Sequence, residues 1–235
     1  MRAMILAAGR GERMRPLTDT IPKPLLQVAG KPLIVWHIER LVKAGITQIV
    51  INHAWLGKKI EQALQDGTRY GARIVYSPEA KPLETAGGIA QALGLLGQEP
   101  FLVINGDTWC DWNPAHAQSV THDLDRRKKS AWLLLATNPP HHPAGDFRLD
   151  ASATVSNGAD ATPDQTLTFT GIGIYRPSLF QNVPPGSAAR LAPLLRQAMA
   201  SHMVVGEHYN GRWVDVGTPE RLAMLERRQQ GLEPG

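Results

Sequence analysis

Three arginines and two glycines follow a short apolar run near the start of the chain. Residues 3–7 are all apolar and are typical of a buried strand, and Gly9-Arg10-Gly11-Glu12-Arg13-Met14-Arg15 comes directly after them. Glycines let backbone N–H groups approach a phosphate closely, and arginines supply positive charge. A dinucleotide fingerprint needs a third glycine where Met14 stands, and a P-loop needs a Gly-Lys-Ser/Thr sequence that is absent. We therefore predict a phosphate site of another kind; the alternative is an ordinary turn with solvated arginines.

A single lysine lies between two prolines a few residues later. Pro22-Lys23-Pro24 holds Lys23 on a stiff segment, because proline fixes its own φ and restricts the residue before it. A fixed ammonium group suits a phosphate or a leaving group. A surface lysine in a rigid turn is the alternative interpretation.

Two aspartates stand where apolar runs end. Asp107 follows the run at 101–104 and the pair Asn105-Gly106, and Asp215 interrupts Trp213-Val214-Asp215-Val216-Gly217. Carboxylates at the carboxyl end of parallel strands can hold Mg²⁺, a hard cation that prefers oxygen ligands. The alternatives are a capped turn at Asp107 and a salt bridge or backbone cap at Asp215.

Alternating strands and helices in the first half would position these side chains. Strands are predicted at 3–7, 46–52, 73–77 and 101–104, and helices at 33–44, 56–64 and 85–96. Pro32 marks the first turn of the first helix, and Gly45 lies just past its end. Such β-α-β units predict a parallel sheet with right-handed crossovers, which binds ligands at the carboxyl ends of its strands.

The second half has a different pattern. Strands are predicted at 131–137 and 169–175, a lobe of short strands and loops at 138–165, and a helix at 188–200 capped by Ser187. Asn210-Gly211 predicts a hairpin of residues 203–209 with 212–216. Thr218 is predicted to cap a last helix that ends near residue 230. We expect one α/β domain over 1–235, with a nucleotide-binding half at about 1–110 and a second half at about 111–235.

Composition excludes several classes of protein. The 235 residues are 43% apolar and 20% charged, and carry a net charge of +4. The single cysteine, Cys110, excludes an internal disulfide framework. No run of 18 apolar residues exists, and the start of the chain is too short an apolar run for a signal peptide. The longest basic cluster, at 126–129, lacks the interleaved aromatics of a nucleic-acid site. We expect a cytoplasmic protein without membrane or nucleic-acid partners.

Taken together and in order, the motifs resemble those of the sugar-1-phosphate nucleotidylyltransferases. The resemblance is carried by residues 6–18 with Pro22-Lys23-Pro24, by Glu84-Thr85-Ala86-Gly87-Gly88, Asn105-Gly106-Asp107, Thr170-Gly171-Ile172-Gly173, and by residues 213–219. Glu12 stands where the usual form has Thr, at a position that contributes mainly backbone. Each motif is weak alone, but their order along nearly the whole chain is highly specific.

This resemblance implies a fold, a reaction and roles for individual residues. The implied fold is α/β, a doubly wound, mostly parallel, Rossmann-like sheet with an inserted sugar-binding lobe. Family members join a nucleoside triphosphate to a sugar 1-phosphate, release pyrophosphate and use Mg²⁺. The loop would cradle the triphosphate with Ala8, Gly9, Gly11, Glu12 and Arg13, with Arg13 on the leaving pyrophosphate. Lys23 would neutralise the reacting phosphates, Glu79 would read the base edge, and Glu84 and Thr85 would contact the nucleotide. Asp107 and Asp215 would hold the metal. The catalytic residues would be Arg13, Lys23 and Asp107. The sugar phosphate would contact Asn105, Gly145, Thr170 and Gly171.

The chain departs from the family pattern at two places. Glu84 replaces a glycine, which puts a side chain beside the nucleotide. Many members bind the sugar phosphate with the lysine of a Glu-Lys-Pro motif, whereas residues 150–168 of this chain contain no lysine. The sugar phosphate must then rely on other cations or on the metal.

The expected substrates follow from the resemblance as well. The run at 168–175 is most similar to that of compact bacterial members, which implies UTP and N-acetylmuramic acid 1-phosphate, in cell-wall sugar recycling. Mannose 1-phosphate or glucose 1-phosphate with GTP, UTP or dTTP is the alternative, and a non-catalytic nucleotide sensor is a third possibility. Asp107, Asp215 and Lys23 are all present, which favours an enzyme. We expect a monomer or a homodimer.

Overall fold

A seven-stranded sheet forms the centre of the computed structural model, which describes residues 1–158 and 162–232. In chain order, the strands of the whole structure, inside and outside this sheet, are β1 (Ala3–Ala7), β2 (Gln27–Val28), β3 (Lys31–Pro32), β4 (Gln48–His53), β5 (Arg73–Pro78), β6 (Phe101–Asn105), β7 (Thr108–Cys110), β8 (Ala131–Ala136), β9 (Phe147–Leu149), β10 (Val155–Asn157), β11 (Thr168–Tyr175), β12 (Val204–Tyr209) and β13 (Trp213–Asp215). The helices are α1 (Leu33–Lys43), α2 (Gly57–Leu64), α3 (Glu84–Leu96), α4 (Ala117–Arg126), α5 (Leu191–Ala200) and α6 (Pro219–Gln229).

The sheet is mixed and contains strands from both halves of the chain. Its order is β12-β8-β11-β6-β1-β4-β5. The pairs β6–β1, β1–β4, β4–β5 and β12–β8 are parallel, whereas β11 runs antiparallel to both of its neighbours. The predicted α/β fold with a mostly parallel sheet is confirmed. Since β1, β4 and β6 are parallel neighbours, their carboxyl ends lie side by side at one edge.

Helices cover both faces of the sheet because its central strands are apolar on both sides. Residues of α1, α2 and α4 form one buried cluster with one face of the sheet, and residues of α3 and α5 form a second cluster with the other face. This layering explains why the strands are continuous apolar runs instead of alternating ones. A third, smaller cluster packs α6 against the start of α1 and against Trp109 of β7. Within the described residues, no helix is both long and apolar enough to cross a membrane.

The hairpin predicted at Asn210-Gly211 is wrong. β12 joins the main sheet parallel to β8, and β13 leaves that sheet to pair antiparallel with β7. Asp111 accounts for the change of direction, because its carboxylate accepts a hydrogen bond from the Arg212 backbone N–H at 2.8 Å and pairs with the guanidinium at 3.1 Å. Tertiary partners therefore override the local turn signal.

The helix predicted at 188–200 starts later, at Leu191, and Ser187 does not cap it. Residues 187–189 have no regular secondary structure and lie against the start of α3. The Ala189 carbonyl accepts hydrogen bonds from the N–H groups of Ala86 and Gly87 at 2.9 and 3.1 Å. The first amides of a helix lack partners within the helix, and this segment provides acceptors for two of them.

The remaining predicted elements agree with the structure in outline. Part of the lobe predicted at 138–165 is the two-stranded sheet of β9 and β10, while 159–161 lie outside the described residues. The Thr218 hydroxyl accepts a hydrogen bond from the Arg221 N–H and caps α6, as predicted.

Candidate active site

A cavity of about 480 Å³ opens at the carboxyl edge of β1, β4 and β6. It lies where a parallel sheet is expected to bind ligands. Its lining contains every residue predicted to contact the nucleotide, together with Asn105 and Asp107. The lining residues are Leu6, Ala7, Ala8, Gly9, Arg10, Gly11, Glu12, Arg13, Met14, Lys23, Pro24, Asn52, Glu79, Pro82, Leu83, Glu84, Thr85, Asn105, Asp107 and Gly217.

The loop after β1 wraps tightly around one end of the cavity. Gly11 has φ +65°, a left-handed conformation that favours glycine, and a Cβ there would lie 2.9 Å from Thr18 Cγ2. The buried Thr18 hydroxyl donates a hydrogen bond to the Gly11 carbonyl at 2.7 Å. Arg13 extends into solvent at the cavity and makes no hydrogen bond or ion pair with the described residues. The loop therefore offers fixed backbone and an unengaged guanidinium.

Lys23 and Asp107 meet in the cavity although 84 positions separate them. Lys23 Nζ donates to Asp107 Oδ2 at 2.6 Å. The lysine side chain is only 7% exposed, whereas the aspartate side chain is 40% exposed. The backbone of Lys23 is therefore fixed by the proline-flanked turn, and its ammonium group is bound by a carboxylate that is still partly exposed to solvent.

Asp215 comes to the same place through the pairing of β13 with β7. Asp215 lies opposite Thr108, and the Val216 N–H donates to the Asp107 carbonyl at 3.1 Å. This register brings the two predicted metal ligands close along the backbone, although Asp107 and Gly217 form part of the cavity lining and Asp215 does not. No contact in the structure tests whether the two carboxylates share a metal, so this stays a prediction.

An arginine and a histidine that do not stand out in the sequence lie beside Asp215. Its Oδ2 atom is 3.1 Å from Arg221 Nη2 and 3.7 Å from His141 Nε2. Among the described residues, the buried Arg221 Nε atom has no hydrogen-bond partner, and the buried Nη2 atom has only its ion-pair contact with Asp215. Burial, with the nearby Arg221 charge, lowers the pKa of His141. No local pattern marks His141, and only the tertiary fold shows its proximity to Asp215.

Glu79 is a buried residue of the cavity lining with both oxygens engaged. Oε1 accepts a hydrogen bond from Asn52 Nδ2 at 2.7 Å, and Oε2 accepts one from the Leu83 N–H at 3.0 Å. Asn52 was not selected from the sequence, although a polar residue near the end of an otherwise apolar strand is a signal that could have found it.

Glu84 begins α3 with φ +59°. A left-handed conformation is uncommon for a residue with a side chain and stores a modest strain. The backbone geometry explains why a glycine suits this position in the family pattern. Together with Thr85, Glu84 forms part of the cavity lining.

The residues predicted to contact the sugar phosphate do not all lie at the cavity. Thr170 is fully buried, and its hydroxyl donates to the Leu134 carbonyl at 2.8 Å, so its side chain has a structural role. Gly171 has φ +81° in the irregular part of β11 and leaves room for the Asn105 side chain, which lines the cavity. Gly145 turns in the loop before β9, outside the lining of the cavity.

Comparison with known proteins gives the chain a family. Residues 2–230 match the nucleotidyl transferase family. The chain is 58% identical over 226 residues to the N-acetylmuramate alpha-1-phosphate uridylyltransferase of Neisseria meningitidis serogroup B (strain ATCC BAA-335 / MC58), which covers 94% of this chain and 95% of that protein. It is 36% identical over 233 residues to the protein of the same name from Caulobacter vibrioides (strain ATCC 19089 / CIP 103742 / CB 15), covering 96% of each.

The solved structure of a UDP-glucose pyrophosphorylase complexed with UDP-glucose shares the fold. Its TM-score is 0.78 at 20% identity, with 99% of each chain covered. The resemblance seen in the motifs is thus confirmed over nearly the whole chain. The protein belongs to the nucleotidyl transferase family.

Proposed function

We propose that this protein transfers a uridylyl group from UTP to N-acetylmuramic acid 1-phosphate and releases pyrophosphate. The observation that carries the proposal is the cavity itself, which brings the glycine-rich loop, Lys23 and Asp107 together beside Asp215. The 58% identical relative bears the name of this activity. We further propose that the protein acts in the cytoplasm, in the recycling of peptidoglycan sugars, as a monomer or a homodimer.

The nucleotide end of the proposed site is the loop after β1. Its backbone N–H groups and Arg13 are suited to the triphosphate, because they combine close approach with positive charge. Arg13 would bind the leaving pyrophosphate. Lys23 would stabilise charge at the reacting phosphates, and it can do so when substrate competes for the ammonium that Asp107 holds at 2.6 Å.

Asp107 and Asp215 fit a magnesium ion that arrives with the triphosphate. Within the described residues, no group of three or more His, Cys, Asp or Glu side chains could hold a metal unaided. Mg²⁺, however, is commonly held by one or two carboxylates together with substrate phosphates and water. When bound there, the ion would supply charge stabilisation to the phosphate oxygens. Both carboxylates now have a cation as partner, which the metal would replace.

Arg221 and His141 are the groups that we propose for the sugar phosphate, Arg221 as the cation and His141 as a neutral hydrogen-bond partner. No lysine is present in residues 150–168, so another group must balance this charge. Arg221 pairs with Asp215 at 3.1 Å, and His141 lies on the same carboxylate. A phosphate that takes the place of Asp215 beside Arg221 would give this guanidinium another anionic partner.

The reaction requires positioning more than covalent help. An oxygen of the sugar phosphate attacks the α-phosphorus of UTP, the bond to the bridging oxygen breaks, and pyrophosphate leaves with that oxygen. The barrier comes mainly from repulsion between two polyanions and from charge on the leaving group, which Arg13 and Lys23 would offset. Cys110 is no candidate nucleophile, because burial raises its pKa to about 12.

A matrix of substrates tests the proposal. Pyrophosphate release is measured for UTP, GTP, dTTP, CTP and ATP, each with N-acetylmuramic acid, mannose and glucose 1-phosphates, with and without EDTA. We expect the highest kcat/KM for UTP with N-acetylmuramic acid 1-phosphate, and loss of turnover with EDTA. Preference for mannose 1-phosphate or glucose 1-phosphate would support the alternative substrates. Nucleotide binding without any turnover would indicate a non-catalytic sensor.

A further inference from the structure

A chain of three hydrogen bonds links the end of β1 to the start of α3 through two buried side chains. The Ala7 N–H donates to Asn52 Oδ1 at 3.0 Å. Asn52 Nδ2 donates to Glu79 Oε1 at 2.7 Å, and the Leu83 N–H donates to Glu79 Oε2 at 3.0 Å. Asn52 is 3% exposed and Glu79 is 7% exposed, so solvent competes little with these bonds.

The two backbone donors at the ends fix the direction of every bond between them. The Ala7 N–H can only donate, so the oxygen of the Asn52 amide must face it and the NH₂ group must face Glu79. The Leu83 N–H can only donate as well, so the other side-chain atom of residue 79 must also accept. Two acceptors on one side chain are the property of a carboxylate. Glutamine has one acceptor and would leave a donor facing a donor.

The backbone of α3 lies close to this pair of side chains. A Cβ on Gly88 of α3 would lie 2.6 Å from Glu79 Oε1 and 2.8 Å from Asn52 Nδ2. The pair therefore packs directly on the helix backbone, and both side chains line the cavity. Each carboxylate oxygen keeps a second lone pair after its internal bond, so Glu79 can still accept a hydrogen bond from a ligand.

We propose that Asn52 is a positioning residue that holds Glu79 as an acceptor on both oxygens and thereby selects a nucleotide whose base carries a ring N–H. This inference rests on the proposed function, since it names how that same site chooses its nucleotide. Uracil, thymine and guanine carry such a donor on the pairing edge, whereas cytosine and adenine present a ring acceptor there. A buried acceptor left facing another acceptor discriminates strongly between ligands.

The first arm of the test measures base preference as the ratio of the dissociation constants of CTP and UTP. For Asn52→Ala and Asn52→Asp we expect the preference for UTP to fall about tenfold or more, because Glu79 loses its fixed orientation. The matched control is Asn113→Asp, since Asn113 Oδ1 also accepts from a backbone N–H but lies outside the cavity. A preference within twofold of the wild type in both Asn52 variants, with both folded, would overturn the proposal.

The second arm tests the direction of the hydrogen bonds by thermal unfolding and needs no turnover. Glu79→Gln and Asn52→Asp are each expected to lower Tm by about 3–8 °C, since each mispairs a buried bond. In the double variant Asn52→Asp/Glu79→Gln, the new carboxylate at position 52 can accept from both the Ala7 N–H and the amide at position 79, so Tm should return to near the wild-type value. A double variant no more stable than the weaker single variant contradicts the proposed network, even where the single variants unfold.

Failure of this inference can be distinguished from failure of the proposed function. Both arms use nucleotide binding and unfolding of the whole chain and neither requires a sugar substrate. If the preference for UTP over CTP depends on Asn52 but no sugar 1-phosphate receives a uridylyl group, the inference is supported and the proposed function is refuted. A protein that makes the UDP-sugar while its Asn52 variants keep the preference would do the reverse.

Discussion

At the scale of single residues, Lys23 gives the sharpest test of charge stabilisation. Lys23→Ala is expected to lower kcat by about 10²–10³-fold, because the ammonium is proposed to act on charge that grows during the reaction. Lys23→Arg should recover only part of the rate, since the guanidinium is wider and fills the buried position differently.

Lys31→Ala is the matched control for Lys23, because Lys31 also forms an ion pair with a carboxylate, that of Glu39, outside the cavity. Its kcat should stay within about twofold of the wild type, since no reacting phosphate lies near it. An increase only in the KM of one substrate for Lys23→Ala, without a fall in kcat, would show that the lysine serves ground-state binding instead.

Arg221 tests the sugar end of the proposed site. Arg221→Gln is expected to raise the KM for the sugar 1-phosphate about tenfold or more while the KM for UTP changes little, because a charged partner of the phosphate is lost. Steady-state kinetics with each substrate varied in turn makes the measurement. Arg212→Gln serves as the control, since Arg212 pairs at 3.1 Å with Asp111 and not with Asp215. Equal effects of both variants on the sugar KM would refute the assignment.

The residues differ in how far the sequence reveals them. Lys23 and Asp107 stand in short motifs next to predicted strand ends, and the structure places them together. Arg221 and His141 are not found this way, because their proximity to Asp215 depends on the pairing of β13 with β7 and on the loop before β9. A local pattern identifies chemical types, but it contains no information on contacts between distant segments.

At the scale of elements, the motif at the start of α3 contains a glycine, Gly87, that is needed for helix packing. A Cβ on Gly87 would lie 2.3 Å from the Ser187 carbonyl oxygen, in the segment that caps this helix. We expect Gly87→Ala to lower the free energy of unfolding by about 1–3 kcal/mol, because the clash separates α3 from residues 187–189.

Gly94→Ala in the same helix is the control for Gly87→Ala, since nothing lies within 4 Å of a Cβ there. Alanine should stabilise that open position by about 0.5–1 kcal/mol. Urea unfolding of both variants measures the difference. Equal stabilities would show that the segment at 187–189 moves aside without cost.

The packing of α1 on β7 predicts a pH dependence of stability. His37 of α1 is buried and donates from Nε2 to the Thr108 carbonyl at 2.7 Å. Burial lowers the pKa of His37 from 6.5 to about 4, so below pH 6.5 the unfolded chain binds a proton that the folded chain does not. Stability from this group is therefore lost as the pH falls from about 6.5 toward 4, and the wild type should lose about 2 kcal/mol between about pH 7 and pH 5 on this account.

His37→Gln keeps a donor for Thr108 but does not titrate. Its free energy of unfolding should fall about 2 kcal/mol less than that of the wild type over the same pH range. The exposed His122 of α4 provides the control, and His122→Gln should follow the wild-type curve. Parallel curves for the wild type and His37→Gln would contradict a neutral, buried imidazole.

At the scale of the whole molecule, the first half was more predictable than the second. Its strands and helices alternate with clear apolar periods and turn signals, and the structure has each of them within a few residues. In the second half, β11 runs antiparallel between β6 and β8, and β12 lies at the edge of the sheet beside β8. Pairings between distant strands leave no local signature, which is why Asn210-Gly211 suggested a hairpin that does not form.

The shared sheet explains how one cavity can serve two substrates. Strands from both halves lie in one layer, so the loop after β1 and the β7–β13 pair are held on a common frame. Asp107 connects the segment that follows the loop after β1 with the β7–β13 pair: its carboxylate binds Lys23, and its carbonyl accepts a hydrogen bond from the Val216 N–H. The proposed transfer requires that both phosphates meet there.

The most direct test of that claim follows the oxygen atoms of the transferred group. The protein is incubated with UTP, Mg²⁺ and N-acetylmuramic acid 1-phosphate labelled with ¹⁸O in all its phosphate oxygens, and the masses of both products are measured by mass spectrometry. Attack by the sugar phosphate on the α-phosphorus predicts a UDP-sugar that retains every labelled oxygen and a pyrophosphate that carries none. Labelled pyrophosphate, or no UDP-sugar at all, would contradict the account.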